Sequence, residues 1–512
     1  MRSKSILVLV IVVLLFGFES LGFANTPSFQ GIGILSGGFP SAVSDDGLIV
    51  TGYGGPITEA FLWTADVGIV SLGLPGYSMA QDISGNGLIV VGDCNPGTGT
   101  EAFRWCKSDG MTGLGILPGG TFSVANGTSH DGSVIVGHST SSLGVQAFRW
   151  TQSEGMSGIG DLAGGDFYST ANNISYDGSV IVGLSKSNLG KEAFRWIQSE
   201  GMSGLGDLAG GVFYSEAIDT SYDGSFIVGL SKSNLGREAF YWTEATGMIG
   251  LGDFDGGGFS SIACAVSGDG SVIVGRSNGI NGDEAFYWTA EDGMINLKDM
   301  LENTYGMDLT NWALNNAIAL SGNGNIIVGY GINPDGNQEG WIASIPEPTI
   351  EAALDIKPQS CPNLLNVHSY GVLPAAILGS EEFDVNAIDA VSVRLNGIAP
   401  IRHNYEDVTA PVVGGNECEC TTAGPDGHLD LTLKFDKQEI IDTLGDVNGG
   451  DVLTLTVEGV LTDETPIEGS DCVKIIGIHK PHNRADINKD GKVDLTDFAI
   501  FSENWLQSSI VY

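Results

Sequence analysis

Basic residues are scarce in this chain: Lys and Arg number 22 against 62 Asp and Glu, a formal net charge of −40 over 512 residues. That balance repels phosphate backbones and anionic bilayers, which excludes nucleic acid and membrane surfaces as partners. It fits solubility outside the cell or calcium binding. Proline is sparse at 17 residues, whereas Gly contributes 76 and 42% of the chain is hydrophobic, so a turn-rich globular protein is expected, not a disordered one. After the apolar run Ile6 to Phe18, no stretch approaches the roughly eighteen apolar residues of a membrane span. Signatures of catalysis are missing as well. The sequence has no His-Glu-x-x-His and no Gly-x-Ser-x-Gly, and its histidines (His130, His138, His368, His403, His428, His479 and His482) follow no metal-ligand spacing.

Residues 1–24 read as an export leader, with Arg2 and Lys4 before the apolar run and small residues Gly22 and Ala24 before a cleavage point at Asn25. The mature chain is therefore expected to be secreted or displayed at the cell surface. Seven cysteines agree with an oxidising compartment. Cys94 and Cys106 flank one expected hairpin and could staple it. Cys361, Cys418, Cys420 and Cys472 could form two bridges, which leaves Cys264 as a buried unpaired thiol.

Internal repetition dominates residues 25–345. An Ala-Phe-x-Trp motif places Trp63, Trp105, Trp150, Trp196, Trp242 and Trp288, and Gly340-Trp341 closes the series in degenerate form. A Ser-x-Asx-Gly motif recurs in step, with turn glycines Gly47, Gly87, Gly132, Gly178, Gly224, Gly270 and Gly324. Each unit of 40 to 46 residues holds four short apolar segments, so the expected fold is an all-β, seven-bladed β-propeller with four strands per blade. The last copy stops after three strands, while Gly31-Ile32-Gly33-Ile34-Leu35 is a fourth strand without predecessors; together they complete one blade. The repeated Phe and Trp, two apart, share a face and are expected to pack against the neighbouring blade. Lys298 to Leu301 reads as a short helix interrupting the pattern. Asp161, Asp207 and Asp253 recur at equivalent positions and read as strand-end or turn residues.

These motifs, with Gly-Leu-Gly-x-Leu-x-Gly-Gly between units, resemble the bacterial extracellular HAF-repeat family. The resemblance covers roughly residues 28–345 and implies an exported repeat protein with no established activity; the first position of the signature is usually Glu here.

Residues 346–352 read as a Pro-containing linker, and 353–478 as a β-sandwich-like module without the repeat. Its strands are expected at Val391 to Leu395, Leu429 to Phe435 and Val452 to Val457. It resembles a module of large bacterial exported proteins. Asp426-Gly427-His428-Leu429-Asp430 reads as a solvated turn.

Residues 479–512 form a short helical, EF-hand-like tail. Asp486, Asn488, Asp490, Asp494 and Asp497 put oxygen ligands at positions 1, 3, 5, 9 and 12 of a calcium loop, with the carbonyl of Lys492 at position 7 and Gly491 at the sharp turn. Ca2+ is the expected cofactor. Leu495, Phe498, Phe501 and Trp505 stripe the helix that follows. The tail resembles half of a type I dockerin, which implies a cohesin-like protein partner, with Leu495 and Thr496 at the family's recognition positions. The expected function is a secreted non-catalytic binding or scaffold protein. The alternatives are a polysaccharide-active enzyme (glycoside hydrolase or lyase) and a component of a polysaccharide-degrading assembly, with an extracellular glycan as ligand.

Overall fold

The computed structural model describes residues 27–33, 38–73, 76–95, 97, 99–345, 349–381, 383–411, 418, 420–462 and 465–479. The expected leader at 1–24 and the expected calcium ligands Asp486, Asn488, Asp490, Lys492, Asp494 and Asp497 lie outside the described residues. The chain is all-β and divides into two compact units, Met1–Pro346 and Glu347–Tyr512.

In the first unit the strands pair in antiparallel groups of four that follow the repeat. One group is Phe39–Val43, Val50–Gly54, Glu59–Thr64 and Gly68–Ser71; the next runs from Tyr77–Ile83 to Gly110–Gly113. Four later groups join through the single parallel pairs Val145–Tyr168, Lys191–Tyr214 and Arg237–Ser260 into one 16-stranded sheet. The last group combines Ala313–Leu320, Ile326–Ile332 and Gln338–Ser344 with Ser28–Gly33, which runs antiparallel to Gln338–Ser344 from Ser28↔Ser344 to Gly33↔Gly340.

The motif residues explain why these groups stack. The motif serines, from Ser44 to Ser321, are buried, and each hydroxyl binds its Asx carboxylate or amide while accepting the amide five residues on, as Ser175 does with Asp177 (2.9 Å) and Val180 (2.9 Å). The turn glycine has positive φ, +75° at Gly178, and a Cβ there would strike Val134 of the preceding group. At Gly47 the residue struck is Ile326 of the last group, so the same cog closes the series on itself.

The repeated Phe stands opposite a glycine of the adjoining strand, as in Gly183↔Phe194 and Gly275↔Phe286, and is fully buried in most copies. A Cβ at Gly275 would lie 2.8 Å from the Phe286 ring. The degenerate copy departs from the expected alignment: Trp341 pairs with Gly329 and fills the Phe position, not the Trp position. The repeated Trp is buried at Trp63 and Trp150 but half-exposed in the other copies, so Phe carries the packing. The expected helix is present as Leu297–Asn303, capped by the Asn296 side chain.

Cys94 and Cys106 do not form the expected staple. Cys94 pairs across the hairpin with Glu101, and Cys106 lies five residues further along the partner strand, toward the opposite end of the hairpin, so the two sulfurs cannot meet. Cys94, Cys106 and Cys264 are all free thiols.

The second unit has two sheets around one core. One holds Leu354–Ile356, Val372–Ile377, Asp430–Asp436 and Arg402–Glu406; the other is built on Val452–Val460 and Pro466–Ile476. Phe435, Leu433, Leu455, Val457 and Val473 meet in the core. Ile350–Glu351, read as linker, instead pairs in parallel with Ile467 and Glu468. Only Arg394–Leu395 of the expected strand at 391–395 forms, because Asp389 draws the amides of Val391 and Ser392 into a turn. Helix Lys437–Thr443, capped by Asp436, was not expected. Disulfides Cys361–Cys420 and Cys418–Cys472 tie its loops.

Candidate functional site

The first strands of the repeat groups converge on a cavity of about 270 Å3 in the first unit. Each of these strands carries a register shift three residues before its motif serine, for example between Ala80 and Asp82 and between Ala217 and Asp219. The extra residue is set apart from the ladder, so Ser41, Gln81, Asn126, Ile218, Cys264 and Ile318 line the cavity wall. Between groups, Asn126 Nδ2 donates to the Ala171 carbonyl at 2.7 Å and Asn172 Nδ2 to that of Ala217 at 2.8 Å.

Two half-buried carboxylates line this wall. Asp82 accepts the amides of Ile83 (2.8 Å) and, from the next group, Thr128 (2.9 Å). Asp219 accepts those of Thr220 (2.8 Å) and Val266 (2.8 Å), and Asn173 Nδ2 at 2.6 Å. Burial pushes Asp82 up to about 7 against the pull of its two amides, with the charges of Asp219 and Asp45 adding to the rise. Burial likewise lifts Asp219 to about 6.

At the turn end, the variable residues of Ser-x-Asx-Gly meet across the axis. Asp45 Oδ2 and His130 Nδ1 are 2.6 Å apart, and the His130 ring stacks on Tyr176 at 4.0 Å between centroids. Tyr176 meets Tyr222 edge-on at 4.7 Å, and the Tyr222 hydroxyl donates back to Asp45. Burial, then the Asp45 charge, pushes the Tyr222 phenol up. Gly85, Gly268 and Gly322 leave room for these side chains, since a Cβ at any of them would collide with Asp45, His130 or Tyr222. A main-chain ladder links the same turns, from Asp45 N to Gly85 O (2.9 Å) through to Gly268 N to Gly322 O (2.8 Å).

The folded-state pKa of Asp82 and Asp219 lies above the unfolded carboxylate value, so the fold favours their protonated form. Their contribution to stability is full below about pH 4 and is lost as pH rises through 6 and 7. Asp82→Asn is expected to flatten the fall in melting temperature between pH 5 and pH 8. A pH profile identical to that of the parent chain would refute the assignment.

Sequence reasoning missed most of this site. Asp82, Asp219 and the Asp45–His130 pair fall at variable positions, and His130 was read as one of several scattered histidines. Asp253 does sit at a strand end, accepting Ser260 N at 2.8 Å. Asp426 and Gly427 form a turn whose amides bind Asp407, but Asp430 is fully buried. Among the described residues no three His, Cys, Asp or Glu side chains form a metal-holding group, and no helix is long and apolar enough to cross a membrane.

No family model matches the sequence, and no curated protein matches it. The HAF-repeat and dockerin resemblances therefore stand on their motifs alone. Among solved structures, the chain is similar to an oligogalacturonate lyase from Vibrio parahaemolyticus, at TM-score 0.43 and 10% identity over 63% of this chain and 98% of that one. It is similar to the β-propeller domain of Cps50 (Swd1) from Myceliophteria thermophila, at TM-score 0.37 and 9% identity over 62% and 96%. It also resembles TolB from Acinetobacter baumannii, at TM-score 0.33 and 10% identity, spanning 60% of this chain and 63% of TolB, under two thirds of that protein. Its own strand pairing makes the chain a propeller-like, all-β repeat protein.

Proposed function

We propose that the chain is a secreted, non-catalytic binding protein in which a seven-bladed β-propeller serves as interaction platform. A β-sandwich module and a calcium-dependent docking tail follow it. The observation that carries this reading is the polar central cavity, to which the groups of the ring contribute equivalent bulged positions while the four-residue cluster of Asp45, His130, Tyr176 and Tyr222 occupies its turn end. A ring wall of this kind is rigid, and rigid concave sites with few convergent polar groups suit recognition. Two disulfides support an extracytoplasmic setting.

The tail would hold Ca2+ through Asp486, Asn488, Asp490, the Lys492 carbonyl, Asp494 and Asp497, and dock a cohesin-like partner. The test is a glycan array and a polysaccharide-degradation assay on the mature chain, with and without calcium. Binding without turnover is expected. Turnover lost on Asp82→Asn or Asp219→Asn would replace this reading with a polysaccharide-active enzyme. Asp486→Ala with Asp490→Ala is expected to remove one equivalent of bound calcium.

A further inference from the structure

Three carboxylates of the second unit are buried with no cation beside them: Asp355 is 5% exposed, Asp430 0% and Asp471 8%. Among the described residues none of the three forms an ion pair, and Lys357, two residues from Asp355, commits its Nζ to the Leu364 carbonyl at 2.8 Å. Two of the three are satisfied by the main chain. Asp430 accepts the amides of Gly379, Val408 and Thr409. Asp471 accepts those of Ile356 (2.7 Å) and Cys472 (2.6 Å), together with Asn363 Nδ2 (2.9 Å).

Asp355 is different, because its Oδ2 is buried and accepts no hydrogen bond. Asn363, 2% exposed, has the same defect. Its amide nitrogen is pinned on Asp471 and the Cys472 carbonyl, which leaves its Oδ1 buried without a donor. Burial, then the charge of Asp471, lifts the Asp355 carboxyl to about 6 against the pull of the Thr409 side chain and the Gln359 amide, so Oδ2 alone is left without a donor. An unsolvated carboxylate oxygen and an unsolvated amide oxygen each cost free energy unless something donates to them. Donors of oxygen alone, with no thiolate or imidazole, select a hard cation.

We propose that the Asp355–Asn363–Asp471 cluster is a calcium site, with Asp355 Oδ2 and Asn363 Oδ1 as ligands. Main-chain carbonyls and water complete the sphere. No three acidic side chains converge there, so the site belongs to the weaker class of extracellular modules, with a Kd of roughly 10⁻⁴–10⁻³ M. It is independent of the tail loop. Calcium here ties Leu354–Ile356 to Pro466–Ile476, next to Cys472 of the Cys418–Cys472 bridge.

The test uses the full chain carrying Asp486→Ala and Asp490→Ala, so that the tail loop cannot contribute. Titration with calcium chloride is expected to show one equivalent bound, lost when Asp355→Asn is added. No uptake by the tail-disabled chain, or uptake unchanged by Asp355→Asn, would overturn the proposal. Should Asp355→Asn fail to fold, amide exchange of the tail-disabled parent decides. Calcium is expected to slow exchange at Ile356, Thr409 and Cys472, and unchanged exchange there overturns the site.

Discussion

Deleting Ser28–Gly33 is expected to lower the melting temperature of the first unit by roughly 5 °C and to make the chain self-associate. The strand supplies the fourth member of the last group, pairing from Ser28↔Ser344 to Gly33↔Gly340. It buries Ile32 against Trp63 and Ile342, and Phe29 against Trp312 at 5.2 Å and Trp341 at 6.0 Å. Losing one buried aliphatic side chain and a large share of one aromatic costs about 3–5 kcal/mol, which for a unit of this length corresponds to a shift of roughly 4–7 °C. The loss is also topological. Gln338–Ser344 becomes an unpaired edge holding the buried residues Trp341 and Ile342, a template for intermolecular pairing. Thermal unfolding followed by circular dichroism, with light scattering at each temperature, reads both effects. A monodisperse deletion variant that melts with the parent would show that the ring does not depend on closure. Ile32→Ala separates the terms, since it keeps the edge covered and removes only the core contact.

How much of this was legible in the sequence depends on whether a residue's role is local. The Ser-x-Asx-Gly turn is self-contained: Ser175, Asp177 and Gly178 satisfy one another within a few residues, so every copy keeps the same types and the period shows. The opposition of Gly183 to Phe194 is nearly as local, within one hairpin. The axial cluster obeys a different rule. His130 meets Asp45 across 85 positions, and its neighbours accommodate it by being Tyr176 on one side and Gly85 on the other. Complementarity around an axis makes the equivalent positions differ from one another, so the most structured part of the cavity looks like noise along the chain. Helix Lys437–Thr443 was missed for another reason. Its signal, Asp436 as cap with Glu439 in the first turn, directly follows a strand and was absorbed into it. In the second unit, Asp355 and Asp471 carry no local signature because they influence each other electrostatically from segments 116 residues apart.

That second unit is where oxidation should matter most. Cys361–Cys420 and Cys418–Cys472 span 59 and 54 residues, and closing loops of this length in the unfolded chain corresponds to about 4 kcal/mol for one bridge. The two loops share only the stretch from Cys418 to Cys420, so their closure terms are nearly independent and breaking both costs close to twice as much as breaking one. Cys418→Ser with Cys472→Ser is therefore expected to destabilise residues 349–479 by about 4 kcal/mol, and reduction of the remaining bridge by about as much again. The first unit should be indifferent, because Cys94, Cys106 and Cys264 are free and burial pushes the thiols of Cys94 and Cys264 up to about 11, which keeps them protonated and poor in exchange. Denaturant-dependent amide exchange, read separately over 38–345 and 349–479, resolves the two units in a single sample. Loss of protection spread evenly over both would mean that the bridges stabilise the chain through something other than the loops they close. Loss confined to 349–479 would place the redox dependence where the calcium cluster also lies, since Asp471 precedes Cys472, and would make calcium affinity fall with reduction.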